Sequence, residues 1–439
     1  VSSPRDLALL TQGTGFESAP HAVADNAIAL RCDRCGELAL ELGLARCPEC
    51  NETLDVVYDM EQAQAALEAV SFGDPRRPPG LWRHAELLPG TRTEPPVGSE
   101  SGWTPLRPAK RLGRELGLER LYLKDDTVSR PTLSYKDRVV SLALQRAVDS
   151  GIQRVACVST GNVGNAVASH AARRGLEAWV VYPREVERAK IGLSRRYGAN
   201  VLVVDGTYDE ANRACGEYAA NSGTPFANIT YRAFYAEGAK TLAWEIVEQL
   251  GGTPPDHIVL PVAGATLFTR VDKGLRELAR LGIVEHDEVR LHAAQAAGCA
   301  PIVSAVRAGR DAIEPVRPQT LAWSLAIGAP GDGNRALRII DRRRASAAAA
   351  SEAEILEWTE LLGRLEGIWS EPAGGVVVAA ARQLAQEGVI GREDTVVLAL
   401  TGHGSKTAPG PADEDDEPEV VACEPDAIGA AIERRAHVR

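Results

Sequence analysis

The sequence predicts an α/β fold with largely parallel sheets, and three observations carry that expectation. Short apolar runs, "RVACVST", "EAWVVYP", "ANVLVVDG", "DHIVLPVAG", "VRLHAAQ" and "DTVVLALTGHG", have the length and content of buried strands. Helical stretches lie between them, among them "NAVASHAARRG", "DEANRACGEYAA", "GAKTLAWEIVEQLG" and "AGGVVVAAARQLAQEG". Strand-helix alternation of this kind builds parallel sheets. In such sheets ligands sit at the C-terminal ends of strands, where loops meet helix N-termini.

The chain divides into three parts. Residues 1–100 form an irregular lead with a four-cysteine module at about 30–58, an amphipathic helix from Asp59 to about Val70, and a Pro/Arg loop around "GDPRRPPG". The regular pattern occupies 101–408. Residues 409–439 are an acidic, Pro-rich tail, with a short helix expected from Pro425. There is no internal repeat.

At 439 residues the chain can build two or three substantial cores, and 44% hydrophobic with 25% charged residues is ordinary for a soluble protein. A formal net charge of −11 argues against nucleic-acid or membrane-surface partners, which need a basic face. No apolar run reaches a membrane span, and "VSSPRDLALLTQGTG" lacks the order of a signal peptide, so a cytoplasmic protein is expected. Only seven of the 49 basic residues are lysines, at 110, 124, 136, 190, 240, 273 and 406. Against an arginine-rich background, a retained lysine points weakly to a need for a compact, deprotonatable ammonium.

Cys32, Cys35, Cys47 and Cys50 make a C-x2-C-x11-C-x2-C pattern, with Gly36 and Pro48 in the turns. Two such pairs suit a tetrahedral structural zinc, and four thiolates leave no open position for substrate. Two reduced thiol pairs are the plainer alternative. Cys157, Cys215, Cys299 and Cys423 are scattered and read as buried or inert thiols.

Four strand-end loops carry small, polar or charged residues. Ser159-Thr160-Gly161-Asn162 offers hydroxyls and amide N–H groups to a carboxylate, or simply an N-cap with a glycine turn. Ala263-Gly264-Ala265-Thr266 is small enough for backbone N–H groups to approach a phosphate. "LALTGHGSKT" imitates the end of a nucleotide loop, but Ser405 separates glycine from lysine, so an NTPase is rejected. Thr401 at that strand's end can face a ligand. Glu371 precedes a Pro-Ala-Gly-Gly helix start, where a carboxylate also simply favours the helix dipole. Lys136, in "SRPTLSYKDRVV", stands at the start of an apolar helix. Together these residues meet the needs of pyridoxal phosphate: a Schiff-base lysine, a phosphate cradle, a partner for the ring nitrogen and a carboxylate site.

From about Leu30 to Thr407 the chain resembles the threonine synthase family, pyridoxal-phosphate enzymes of fold type II, in the version with an N-terminal zinc-ribbon-like module. The resembling segments are "CDRCG…CPEC…LDVVYDM", "LWRHAELLP", "GWTPL", "LYLKDD", "RPTLSYKDRVVS", "STGNVGNAVA", "GTYDEANR", "YAEGAKTLAWEI", "PVAGATLFTRVDKG", "TLAWSLAIGAPGDG", "EPAGGV" and "LTGHGSKT". The resemblance implies two doubly wound, mostly parallel sheet subdomains with the active site between them, the smaller and mobile one at about 140–240. It makes Lys136 the Schiff-base lysine and proton shuttle, Asn162 the partner of the ring's 3-hydroxyl, and Ala263, Gly264, Ala265 and Thr266 the cofactor's phosphate site. Thr401 would face the pyridine nitrogen and Tyr135 would pack near the ring. Ser159, Thr160 and Gly161, with Asn162, would clamp the substrate carboxylate, and Lys124 would contact a substrate phosphate.

Two departures bear on the substrate. The family has Asn where Arg130 and Thr207 stand here, and both positions are expected near the substrate phosphate. The expected reaction converts O-phospho-L-homoserine and water to L-threonine and phosphate. Arg130 also suits a β-replacement on O-phospho-L-serine with sulfite, as in cysteate synthase. A threonine or serine dehydratase and a non-catalytic paralogue are weaker readings. The expected partner is a small phosphorylated amino acid, with neither nucleic acid nor membrane, and a homodimer is the assembly the resemblance allows.

Overall fold

The computed structural model describes residues 27–39, 44, 46–89, 95–285 and 288–407; the acidic tail and the helix expected from Pro425 lie outside them. Strands β1 (Ala27–Cys32), β2 (Leu38–Ala39) and β3 (Leu54–Tyr58) form an antiparallel sheet in the order β2-β1-β3. Helix α1 (Met60–Ala69) follows, its first turn capped by the Asp59 carboxylate, which accepts from the N–H groups of Glu61 and Gln62.

The larger part begins with β4 (Leu106–Pro108), α2 (Lys110–Leu116), β5 (Arg120–Asp125) and α3 (Lys136–Asp149). It continues with β6 (Arg154–Val158), α4 (Asn162–Arg174), β7 (Glu177–Pro183), α5 (Arg188–Arg196), β8 (Asn200–Val204), α6 (Tyr208–Ser222) and α7 (Arg232–Gln249). Then come β9 (His257–Pro261), α8 (Thr266–Arg280), β10 (Arg290–Ala296), α9 (Pro301–Arg307) and α10 (Gly333–Arg342). The last elements are β11 (Ala347–Ala350), α11 (Glu352–Glu366), α12 (Pro372–Gln386) and β12 (Thr395–Leu400).

Two sheets result. One is parallel, in the order β6-β7-β8; the other has the order β11-β10-β9-β12-β5-β4 and is parallel except for β4. In β12 every residue from Val396 to Leu400 is buried, because helices cover both faces of the sheet and leave no polar alternation to read. Strand β11 is "AAAA", a poor strand sequence by propensity, and is held by pairing along β10 from Ala293↔Ala347 to Ala296↔Ala350. Among the described residues no helix is long and apolar enough to cross a membrane.

The small N-terminal sheet docks on the larger part through a shared core and buried charge. Leu30, Leu54, Val56 and Tyr58 pack with Ala233 and Phe234 of α7. Asp55 accepts a fork from Arg335 (2.7 and 2.6 Å) and a further bond from Arg270. Lys273 donates to the Val56 carbonyl at 2.8 Å, and Tyr58 donates to Glu237 at 2.7 Å. A bidentate arginine-carboxylate pair, here with Arg335 buried and Asp55 partly so, fixes orientation as well as distance.

Candidate active site

The C-terminal ends of β6, β9 and β12 converge on one cavity of about 380 Å³. Lys136 enters it as the first residue of α3. The turn before α3 is fixed by Asp137, which accepts from the N–H and hydroxyl of Thr132 at 2.9 and 2.8 Å. It is tied to the end of β12 by Tyr135 N–H donating to the Thr401 carbonyl (3.0 Å) and His403 N–H to the Leu133 carbonyl (3.0 Å). Lys136 Nζ donates to the Tyr135 hydroxyl at 2.6 Å and has no carboxylate partner among the described residues.

The loop after β6 forms the opposite wall. Ser159 Oγ accepts from the N–H groups of Gly161 and Gly164, both at 2.9 Å. Gly161 adopts φ +134°, and a Cβ there would overlap the Lys190 side chain, so glycine is required. Asn162 donates its amide to Glu371 Oε2 at 2.6 Å, while its Oδ1 is buried without a partner. Glu371 is held in turn by Lys190 Nζ at 2.8 Å. Burial alone would raise the Glu371 carboxyl, but the Lys190 ammonium, aided by Lys406, holds it below the usual range. Burial pushes the Lys406 ammonium down to about 8, against the pull of Glu371.

The loop after β9 supplies free backbone donors. Ala265 sits in the left-handed region at φ 68° as the N-cap of α8, and its carbonyl accepts the first bond from Thr269 N–H (3.0 Å). Among the described residues, the N–H groups of Gly264, Ala265, Thr266 and Leu267 have no acceptor. Four unpaired donors at a helix N-terminus suit a phosphate. The unpartnered Asn162 Oδ1 suits a ring hydroxyl, and the Lys136 amine an aldehyde. The residues present therefore fit pyridoxal phosphate.

Of the expected site residues, Tyr135, Lys136, Ser159, Thr160, Asn162, Ala263, Gly264, Ala265, Thr266 and Thr401 line this cavity, and Gly161 shapes its loop. Three lie elsewhere. Lys124 is 0% exposed and paired with Glu245 at 2.6 Å, its ammonium also donating to the Thr104 carbonyl (2.6 Å) and Gln249 (2.9 Å). Its place in β5 turns it toward α7, away from the cavity. Arg130 is exposed in a separate recess beside Trp103 and Val128, with its carbonyl bonded by the Ser101 hydroxyl (2.7 Å). Thr207 caps α6 in a reciprocal bond with Glu210 and lines a neighbouring recess that shares Thr160 and Tyr208 with the cavity.

The cavity wall also includes Tyr208, Asp209, Asn212, Asn228, Arg232 and Tyr235, none singled out from the sequence, and Arg46 from the cysteine module. The quoted segment "GTYDEANR" contains the first three, but nothing local distinguished them from a helix start. Arg232 pairs with Asp332 at 2.5 Å. Asp209 accepts from Gly328 N–H (3.1 Å) and Ala329 N–H (3.3 Å), and its burial raises its carboxyl despite those bonds.

In the cysteine module the four thiol sulfurs lie within 4.8 Å of one another. Cys32–Cys50, Cys35–Cys47 and Cys35–Cys50 separations are 3.4, 3.6 and 3.7 Å. A tetrahedral site with metal–sulfur bonds of about 2.3 Å needs sulfurs about 3.8 Å apart. The group could hold one metal ion with little adjustment.

A lysine at a helix start, free amides at the end of a neighbouring strand and two parallel sheets around them define a pyridoxal-phosphate enzyme of fold type II. The family model described as "Pyridoxal-phosphate dependent enzyme" matches residues 98–402. The chain belongs to that family and, within it, to the threonine synthase family. It is 36% identical over 413 residues to the threonine synthase of Methanosarcina acetivorans, covering 92% of this chain and 98% of that protein. The threonine synthase of Methanocaldococcus jannaschii is 33% identical over 397 residues, covering 90% and 96%. The structure of maize serine racemase matches with a TM-score of 0.58 at 17% identity, covering 86% of this chain and 97% of that one, a likeness of fold alone.

Proposed function

We propose that the protein converts O-phospho-L-homoserine and water to L-threonine and phosphate. The observation that carries the reading is the meeting of Lys136, the unpaired amides of Gly264 to Leu267 and the orphan Oδ1 of Asn162 in one cavity, in a chain 36% identical to a threonine synthase.

Lys136 would hold the cofactor's aldehyde carbon, the Ala263–Thr266 loop its phosphate, Asn162 its 3-hydroxyl and Thr401 its ring nitrogen, with Tyr135 beside the ring. When bound, the cofactor supplies an electron sink for carbanions next to the amino group. A threonine hydroxyl, being neutral, leaves that sink gentler than a carboxylate partner would, so proton placement falls to the protein. The Ser159–Asn162 loop binds the substrate carboxylate through its hydroxyls and N–H groups and fixes Cα beside Lys136. The Lys136 amine, free of any carboxylate partner, removes the Cα proton and then one from Cβ. Phosphate leaves Cγ, water adds its oxygen at Cβ, and Lys136 returns the protons to carbon. The buried Lys190–Glu371 pair keeps Asn162 oriented throughout.

A substrate panel tests the proposal. Threonine and phosphate released in equal amounts from O-phospho-L-homoserine are expected, with activity abolished in Lys136→Ala. Sulfite-dependent turnover of O-phospho-L-serine without threonine formation would overturn it.

A further inference from the structure

We propose that Arg46, carried by the cysteine module, completes the active-site wall and binds the anionic phosphate group of the substrate, a role that presupposes the phosphorylated amino acid proposed above. Among the described residues, Arg46 is the one residue of the N-terminal sheet region that lines the cavity. The other cations there are spoken for: the Lys136 amine is the group that would hold the cofactor's aldehyde carbon, and Arg232 is neutralised by buried Asp332 at 2.5 Å. The cavity's carboxylate, Asp209, is occupied by two backbone amides.

Arg46 is exposed and has no carboxylate partner among the described residues; its single hydrogen bond runs from Nη1 to the Asn51 carbonyl at 2.8 Å. The other end of the guanidinium lies over Gly331, where a Cβ would be 3.8 Å from Nη2. An uncompensated planar fork at the mouth of a cavity suits a phosphate oxygen pair better than a lysine would. Its position is set from two sides. The knuckle beside it is closed by Cys47 N–H donating to the Glu52 carbonyl and Asn51 N–H to the Cys47 carbonyl, both at 2.9 Å. The module itself is clamped by Asp55 between Arg270 and Arg335. The cysteine module thereby becomes a part of substrate recognition rather than a remote fastening.

The test uses the full-length, cofactor-loaded protein with Arg46→Gln, Arg46→Lys and Gly331→Asp. Gly331 is not at positive φ, and a Cβ there would meet Arg46 Nη2 at 3.8 Å, so an aspartate there sets a carboxylate against the guanidinium while leaving the sequence of the module unchanged. Two readouts are taken: steady-state kinetics with O-phospho-L-homoserine, and the affinity for inorganic phosphate by calorimetry, which needs no turnover. Loss of one charge-assisted pair should raise KM and weaken phosphate binding by about tenfold or more in Arg46→Gln and Gly331→Asp, with kcat changed far less. Arg46→Lys should recover part of the loss. The cofactor's visible absorbance should be unaltered in all three. Phosphate affinity unchanged in both Arg46→Gln and Gly331→Asp would overturn the proposal and leave Arg46 as a brace for the Asn51 turn. If the unmodified protein fails to turn over O-phospho-L-homoserine yet binds phosphate through Arg46, the anion site stands and the lyase reading falls. Failure of the unmodified protein to bind phosphate at all would overturn the anion site.

Discussion

Replacing Lys124 by Met separates a structural lysine from a substrate ligand. Lys124 belongs to a buried four-charge network with Glu245, Arg138 and Asp126. Arg138 Nε donates to Asp126 at 2.7 Å, its Nη2 to Asp126 and Glu245 at 2.8 Å each, and its Nη1 to Glu245. Two cations face two carboxylates, so removing one ammonium leaves a net buried negative charge. Breaking such a pair costs about 3–5 kcal/mol. Here the lower end applies, because Glu245 keeps Arg138 and the N–H groups of Trp103 (2.8 Å) and Thr104 (3.2 Å). A unit of this size has an unfolding entropy of about 0.8 kcal/mol/K, so a loss of about 3 kcal/mol lowers Tm by about 4 °C. Scanning calorimetry measures that shift, and kinetics with O-phospho-L-homoserine should show KM within about twofold of the parent. An unchanged Tm with KM raised tenfold would refute the placement and return Lys124 to the substrate.

The same network makes a prediction in acid. Burial would raise the Glu245 carboxyl, but Arg138 and Lys124 hold it down at about 2 against an ordinary 4.5. Its contribution is therefore fully present above pH 4.5 and is lost as pH falls toward 2, about 3 kcal/mol in all, and Glu245→Gln should flatten an acid-unfolding curve in that window. Glu371→Gln keeps an acceptor for Asn162 but leaves Lys190 and Lys406 facing no charge on that side. It should lower Tm by several degrees and weaken cofactor retention on gel filtration, whereas full retention would detach this pair from the site. Metal analysis should find one zinc per chain, and Cys47→Ser should abolish it while sparing the visible absorbance of the bound cofactor.

Much of this architecture is legible in the sequence. The six apolar runs became β6, β7, β8, β9, β10 and β12. All but β8 are largely buried, and strands buried on both faces carry their own signal, while β8, with Leu202 and Val203 exposed, was legible from its β-branched run alone. Strand β11 did not, since "AAAA" reads as helix and only pairing with β10 extends it. Lys124 shows a second limit. Adjacent strand residues face opposite ways, so Lys124 turns inward to Glu245 while Asp125 meets Arg107 at 2.9 Å, and a motif at a strand's end does not say which of the two faces the ligand. The scarcity of lysine carried more than catalysis: Lys124, Lys190, Lys240, Lys273 and Lys406 are all buried, where a compact ammonium meets carboxylates or a backbone carbonyl. Lys136 is the one that opens into the cavity. Arg46 stands 89 residues before Tyr135, the next residue of the cavity wall, and no local pattern marks such a meeting.

The position of β12 also dictates an order of assembly. It lies between β5 and β9, with Leu398 opposite both Leu123 and Val259. Strand β5 is made some 270 residues earlier and has only β4 as a neighbour until β12 emerges. The β6-β7-β8 sheet, by contrast, is contiguous in the chain and needs no such wait. During synthesis the ribosome must deliver Leu400 and Thr401 before the larger sheet can close and Tyr135 can find its carbonyl. A nascent chain halted before Thr395 should hold a formed small sheet and no place to keep the coenzyme.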